Sequence, residues 1–287
     1  MRKKSLRWLG VGISSAASLL ASHSGHAKMA DVPKGDKKPS QLSFGGDIGW
    51  LPWSGEYQKA LGNAATQYPW KYGIVTTTFW IGEKPTQNNP VPNHKSCWDS
   101  SWAENYGGTD TPAKDQRTPD FTPKKFVPRQ NPFYVALPYN DMTMKGLKPE
   151  VAKVIPWYSS SFKGDHVSVC KSRWIAIRYK GKTCYAQWED AGPFRTDHWQ
   201  YVFGDERPKP NLNKGAGLDV SPAVRDFLGM DDTDMTDWKF VEFQDVPNGP
   251  WAAFGDNNTF VQLRRAQQEG VAVADLETRK KSAPANR

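Results

Sequence analysis

The stretch "CYAQWEDAGPFRTDHW", Cys184 to Trp199, decides how the chain is read. Its first half alternates like a half-buried strand and runs into two adjacent carboxylates, Glu189 and Asp190, before Gly192-Pro193-Phe194. Glycine and proline punctuate turns, so the acids stand where a strand ends. Upstream, "SRWIAIRYKGKTCYAQWED" holds two strands around Lys180-Gly181-Lys182, a hairpin by its turn chemistry. Strict alternation puts Glu189 on the opposite face from Asp190 and in solvent.

Working outward, "YGIVTTTFWIG" (Tyr72 to Gly82) is β-branched and aromatic, as a strand requires. "NPFYVALPY" (Asn131 to Tyr139) is a short apolar strand between prolines, and Asp141 just beyond it reads as a turn former. "DWKFVEFQDV" (Asp237 to Val246) is a further strand. "DDTDMTD" (Asp231 to Asp237) lacks the glycine and terminal glutamate of an EF-hand loop, so it reads as a turn. One helix is well signalled in "GLDVSPAVRDFLGM". Ser221 suits the N-cap, Pro222 the first helical position and Gly229 the residue past the end. Asp219, two residues before the cap, is a second carboxylate at a strand terminus.

In this order the pieces resemble a six-stranded double-psi β-barrel of the rare lipoprotein A family of peptidoglycan lytic transglycosylases, and more distantly expansins and barrel endoglucanases. The motifs are "GIVTTTFWIG" from Gly73, Leu137-Pro138-Tyr139, then Asp190, Gly192, Pro193 and Phe194, and finally Asp219 and Ser221 before Leu228-Gly229. The resemblance implies a mainly β fold with one short helix before the last strand and long loop insertions. It also implies Asp190 as acid/base, with Asp219 matching the expansin and endoglucanase carboxylate. The chain departs from the family at Tyr134, where the family has His, and in two insertions. One contains Cys97, Trp98 and Trp102, and the other is "RTDHWQYVFGDERPKPNLNKGAG", Arg195 to Gly217.

Glycosidic cleavage requires a proton on the leaving oxygen, which a carboxylic acid of raised pKa supplies. A hydrolytic inverting route adds a second carboxylate roughly 6.5–9.5 Å away, whereas a lytic transglycosylase uses the sugar's own hydroxyl. Asp190 and Asp219 are therefore the candidate catalytic pair, expected along one groove. Tyr134, Tyr139, Thr77, Trp80, Trp188 and His198 are candidate substrate-binding residues, the tryptophans because flat aromatic faces hold sugar rings. Each has a plainer alternative as core, strand or loop residue, and turn aspartates also bond their own backbone.

Arg2, Lys3, Lys4 and Arg7 precede an apolar run from Trp8 to Ala21, with small residues at Gly25 and Ala27. That pattern is a secretory signal peptide, residues 1–27, and it implies periplasmic or extracellular export. No later segment reaches the roughly 20 apolar residues of a membrane span. Residues 1–27 carry four basic residues and no acidic one, so the formal charge falls from +8 to +4 on cleavage. No clustered basic stripe for nucleic acid remains in the body.

The other boundaries are an arm at 28–66, the barrel domain at 67–264 and a polar tail at 265–287. Three cysteines allow one disulfide in an oxidising compartment. Cys170 and Cys184, which flank the hairpin, are the favoured pair. No ligand-spaced histidine or cysteine cluster calls for zinc or another metal, and no cofactor is expected. The expectation is thus a monomeric exported protein acting on cell-wall polysaccharide, peptidoglycan first. A non-catalytic expansin-like binder and a protein-interaction module stand as alternatives.

Overall fold

The computed structural model describes residues 68–86, 89 and 91–268. The expected signal peptide, the arm and residues 269–287 of the tail lie outside the described residues.

The described residues form eight strands: β1 (Lys71–Thr78), β2 (Tyr134–Leu137), β3 (Met142–Thr143), β4 (Gly146–Leu147), β5 (Arg173–Tyr179), β6 (Lys182–Ala191), β7 (Leu218–Val220) and β8 (Thr233–Val241). Six close into a barrel in the order β1-β7-β2-β6-β5-β8, while β3 and β4 form a separate small hairpin. The pairs β1–β7 and β2–β6 are parallel and the other barrel pairs antiparallel. Parallel neighbours need crossover connections. The link from β1 to β2 steps over β7, and the link from β6 to β7 steps over β2. Those two interlocked crossings make the double-psi barrel that the motif order implies.

Local chemistry explains the elements. The β5–β6 hairpin turns on Lys180 and Gly181, both at positive φ (43° and 81°), the pair of left-handed residues that a two-residue turn needs. Helix Pro222–Leu228 begins at Ser221, whose hydroxyl accepts from Val224 N at 3.3 Å, and stops at Gly229 with φ 75°. Strand β8 starts at Thr233, inside the acidic segment read as a turn. Pairing of Thr77 with Thr233 and Val75 with Met235 overrides the weak strand propensity there. The C-terminal helix Thr259–Gln268 runs across the expected tail boundary.

Inward side chains of all six barrel strands, among them Ile74, Leu137, Ile175, Trp188, Leu218 and Trp238, fill the interior. A second, smaller cluster lies on the outside of the sheet. Phe79, Ile81, Trp102 and Tyr106 from β1's far end and the first insertion cover Tyr134 and Ala136 there.

The expected Cys170–Cys184 disulfide does not fit the hairpin's register, and the three cysteines are free thiols in this structure. Cys184 pairs with Ile177, whereas Ser172 N bonds Trp188 O at the other end of the hairpin. Four residues of strand, about 13 Å, separate the two levels, beyond the roughly 7 Å Cα limit of a disulfide.

Asp141 is not a simple turn former. It is fully buried, and its carboxylate accepts from Trp98 Nε1 (2.9 Å), Ser168 Oγ (2.8 Å), Val169 N (2.7 Å) and Cys170 N (3.1 Å). It ties the first insertion and the segment before β5 to the turn after β2. Asp141→Ala orphans Val169 N and leaves Trp98 Nε1 and Cys170 N only their second acceptors, Asn140 Oδ1 (3.0 Å) and Ser168 Oγ (3.1 Å); an unmet buried group costs about 1–3 kcal/mol. The expected loss is about 1–3 kcal/mol in urea unfolding; a loss below ~0.5 kcal/mol contradicts this role.

Candidate functional site

The register places a row of side chains across four neighbouring strands. Thr77 of β1 pairs with Asp219 of β7, Asp219 with Ala136 of β2, and Ala136 with Asp190 of β6. Directly paired residues share a face. Val135 and Leu137 point into the barrel, so the row at Ala136 lies outside. Asp190 and Asp219 flank one strand, and two strand spacings put their backbones about 10 Å apart.

Asp190 reaches this face because β6 carries a bulge. Val135 pairs with Trp188 and Ala136 with Asp190, leaving Glu189 as the extra residue. Glu189 therefore does not stand in solvent on the opposite side. It is buried, and its Oε1 accepts from Ser172 Oγ (2.9 Å) and Asn257 Nδ2 (3.1 Å). Burial raises its carboxyl to about 6.

The two aspartates have different surroundings. Asp190 Oδ1 accepts from two backbone amides, Cys97 N and Ala191 N, each at 2.8 Å. Burial raises its pKa to about 6, and these amides restrain the rise by favouring the anion. Among the described residues, Asp219 Oδ1 accepts from the Thr77 hydroxyl alone. Burial, aided by the charges of Glu83 and Asp190, pushes Asp219 to about 7. A Cβ at Gly192 would sit 3.6 Å from Asp219 Oδ2, so any larger side chain there would extend over the carboxylate.

Thr77 is therefore at the row, and Trp80 is half-buried just past β1. The other expected binding residues are elsewhere. Tyr134 is 1% exposed; its hydroxyl accepts from Ile81 N (3.0 Å) and donates to Asp110 (3.0 Å), so it braces the insertion instead of offering a donor to a ligand. Tyr139 is buried and donates to Glu150 at 3.2 Å. Trp188 fills the barrel core, with its indole N–H on Asp190 O at 2.7 Å. His198 is buried within the second insertion against Glu206, 3.0 Å from its Nε2. Of the further tryptophans, Trp102 is buried and Trp98 is half-buried against Trp188.

The sequence reading missed the Cys97 amide as a ligand of Asp190, and Glu83 as a neighbouring charge. Glu83 is buried, with Asn89 (3.0 Å) and Asn93 (2.9 Å) donating to it. Both residues belong to the insertion, where no motif marks them. Among the described residues no group of three or more acidic, histidine or cysteine side chains is arranged to hold a metal. No helix among them is long and apolar enough to cross a membrane.

No protein-family model and no curated protein matches the chain. Among solved structures it is similar to the Streptomyces papain inhibitor (SPI), at 14% identity and a TM-score of 0.24. That likeness covers 62% of this chain and 97% of the inhibitor, and at that score it carries no inference.

The raised carboxyls set a pH dependence. In the unfolded chain both aspartates titrate near ~4, so the folded state holds extra protons between that value and 6–7. This contribution to stability is complete below pH ~4 and lost as pH rises through 6–7. Asp219→Asn should therefore stabilise the protein at pH 8, on the order of 1–3 kcal/mol once solvent at this half-buried group is allowed for. At pH 5 the gain should fall to about a third of that. Urea melts at both pH values check this, and an equal effect at the two would refute it.

Proposed function

We propose that the protein is exported and acts on cell-wall glycan at the row Thr77–Asp219–Ala136–Asp190. The observation that carries this reading is the juxtaposition of two outward carboxyls, with pKa values raised to about 6 and 7, across a single strand. Groups titrating near neutrality suit proton transfer. Asp219, with one hydroxyl partner, is the readier proton donor to a leaving glycosidic oxygen. Asp190, held by two amides, is the readier anion, able to take a proton or balance positive charge on the sugar. The motif order resembling the rare lipoprotein A family narrows the substrate to peptidoglycan and the reaction to lytic transglycosylation. The signal-peptide pattern supplies the export part of the reading.

One observation favours a second reading, a glycan binder without cleavage. Tyr134 stands where that family has His, and its hydroxyl is spent on Ile81 and Asp110. The test is to incubate the mature protein with purified sacculi and identify soluble products by mass spectrometry. Anhydro-sugar ends are expected, with Asp219→Asn and Asp190→Asn each lowering release at least ~100-fold. Reducing ends would replace the transglycosylase by a hydrolase. Sedimentation with sacculi without release would establish the binder, and neither binding nor release would end the glycan reading.

A further inference from the structure

We propose that Cys97 and Cys170 form a disulfide that locks the first insertion onto the segment leading into β5, beside Asp190. The two segments lie side by side around one buried carboxylate. Trp98 donates its indole N–H to Asp141 Oδ1 (2.9 Å), and the Cys170 amide donates to Asp141 Oδ2 (3.1 Å). Lys171 Nζ reaches the Trp98 carbonyl at 3.5 Å. Trp188 makes a third shared point: Trp98 packs edge-on against it at 5.4 Å, and Ser172 N bonds its carbonyl at 2.8 Å. The Cys97 amide is itself fixed on Asp190 Oδ1. Each cysteine is thus held by its own backbone and by its neighbour in sequence. Cys184, four residues before Trp188 along β6, is remote from both.

The electrostatics agree with this placement. Burial first, then the Asp190 carboxylate, pushes the Cys97 thiol up; burial, then Asp141, does the same to Cys170, where the charge of Cys97 adds to the effect. Thiols of raised pKa are poor leaving groups, so a disulfide between them resists reduction once formed.

The oxidant is a disulfide, either a small molecule or a dithiol oxidoreductase in its oxidised form. Half-buried Cys97 is the entry point, and fully buried Cys170 resolves. Cys97 gives its proton to solvent and its thiolate attacks one oxidant sulfur. The oxidant's S–S bond breaks, one thiolate leaves, and a mixed disulfide remains on Cys97. Cys170 then loses its proton, attacks the Cys97 sulfur and expels the second thiolate. Two cysteine thiols are oxidised and one disulfide is reduced to two thiols. The bond fixes the Cys97 amide against Asp190 and stands whether or not the row acts on glycan.

The test exposes the purified full chain to oxidised glutathione, blocks remaining thiols under denaturing conditions and maps the peptides by mass spectrometry. A Cys97–Cys170 cross-linked peptide is expected, with Cys184 alkylated. The oxidised protein should melt roughly 5–15 °C above the reduced one, as closing a long loop predicts. Cys97→Ser should leave Cys170 and Cys184 both alkylated under the same oxidant. A cross-link that includes Cys184, or three alkylated cysteines in the oxidised wild type, overturns the proposal.

Discussion

Ala136 is the hinge of the whole arrangement. It is bonded in register to Asp219 on one side and Asp190 on the other, from strands the chain reaches only after long excursions. Its methyl group is too small to cover either carboxylate. Because side chains alternate along a strand, a one-residue slip of β6 would turn Asp190 into the barrel. The extra residue at Glu189 sets that register, and the fold holds it by giving the displaced carboxyl Ser172 and Asn257. The cost of a bulge and a buried glutamate is offset by the position it gives Asp190.

The first insertion shapes this face as much as the barrel does. It lays Phe79, Ile81, Trp102 and Tyr106 over the outside of β2, and it brings the Cys97 amide to Asp190. It also consumes the hydroxyl of Tyr134. The barrel supplies two carboxylates at a fixed spacing, while the insertion decides how each is solvated. Unequal solvation, two amides against one hydroxyl, acts with the neighbouring charges of Glu83 and Asp190 on Asp219 to separate the two titrations.

Much of the fold was legible because its signals are local. Ser221, Pro222 and Gly229 specify a helix within nine residues, and Lys180-Gly181 specifies a hairpin without reference to anything distant. Asp190 and Asp219 could be paired from motif order, since a double-psi topology brings those strand ends to either side of β2. The bulge was not legible, because Glu-Asp within an alternating strand carries no mark of an inserted residue. The start of β8 was hidden by its aspartates, whose poor propensity is overcome only by pairing with β1. Tyr134, Trp188 and His198 were misplaced for a common reason. An aromatic or imidazole ring looks the same in sequence whether it faces a ligand or a packed interior, and only the insertions decide which.

The brace between Tyr134, Ile81 and Asp110 bears on how this barrel can be trimmed. Asp110 is buried and also paired with Arg117, so the strap runs deep into the inserted segment. Excising that segment to reach a minimal barrel would bare an aromatic shelf of Phe79 and Tyr134 to water, an apolar patch of the kind that drives self-association. A shortened version therefore needs its shelf repainted with polar residues in the same step, and the loop belongs to the solubility of the molecule as much as to its chemistry.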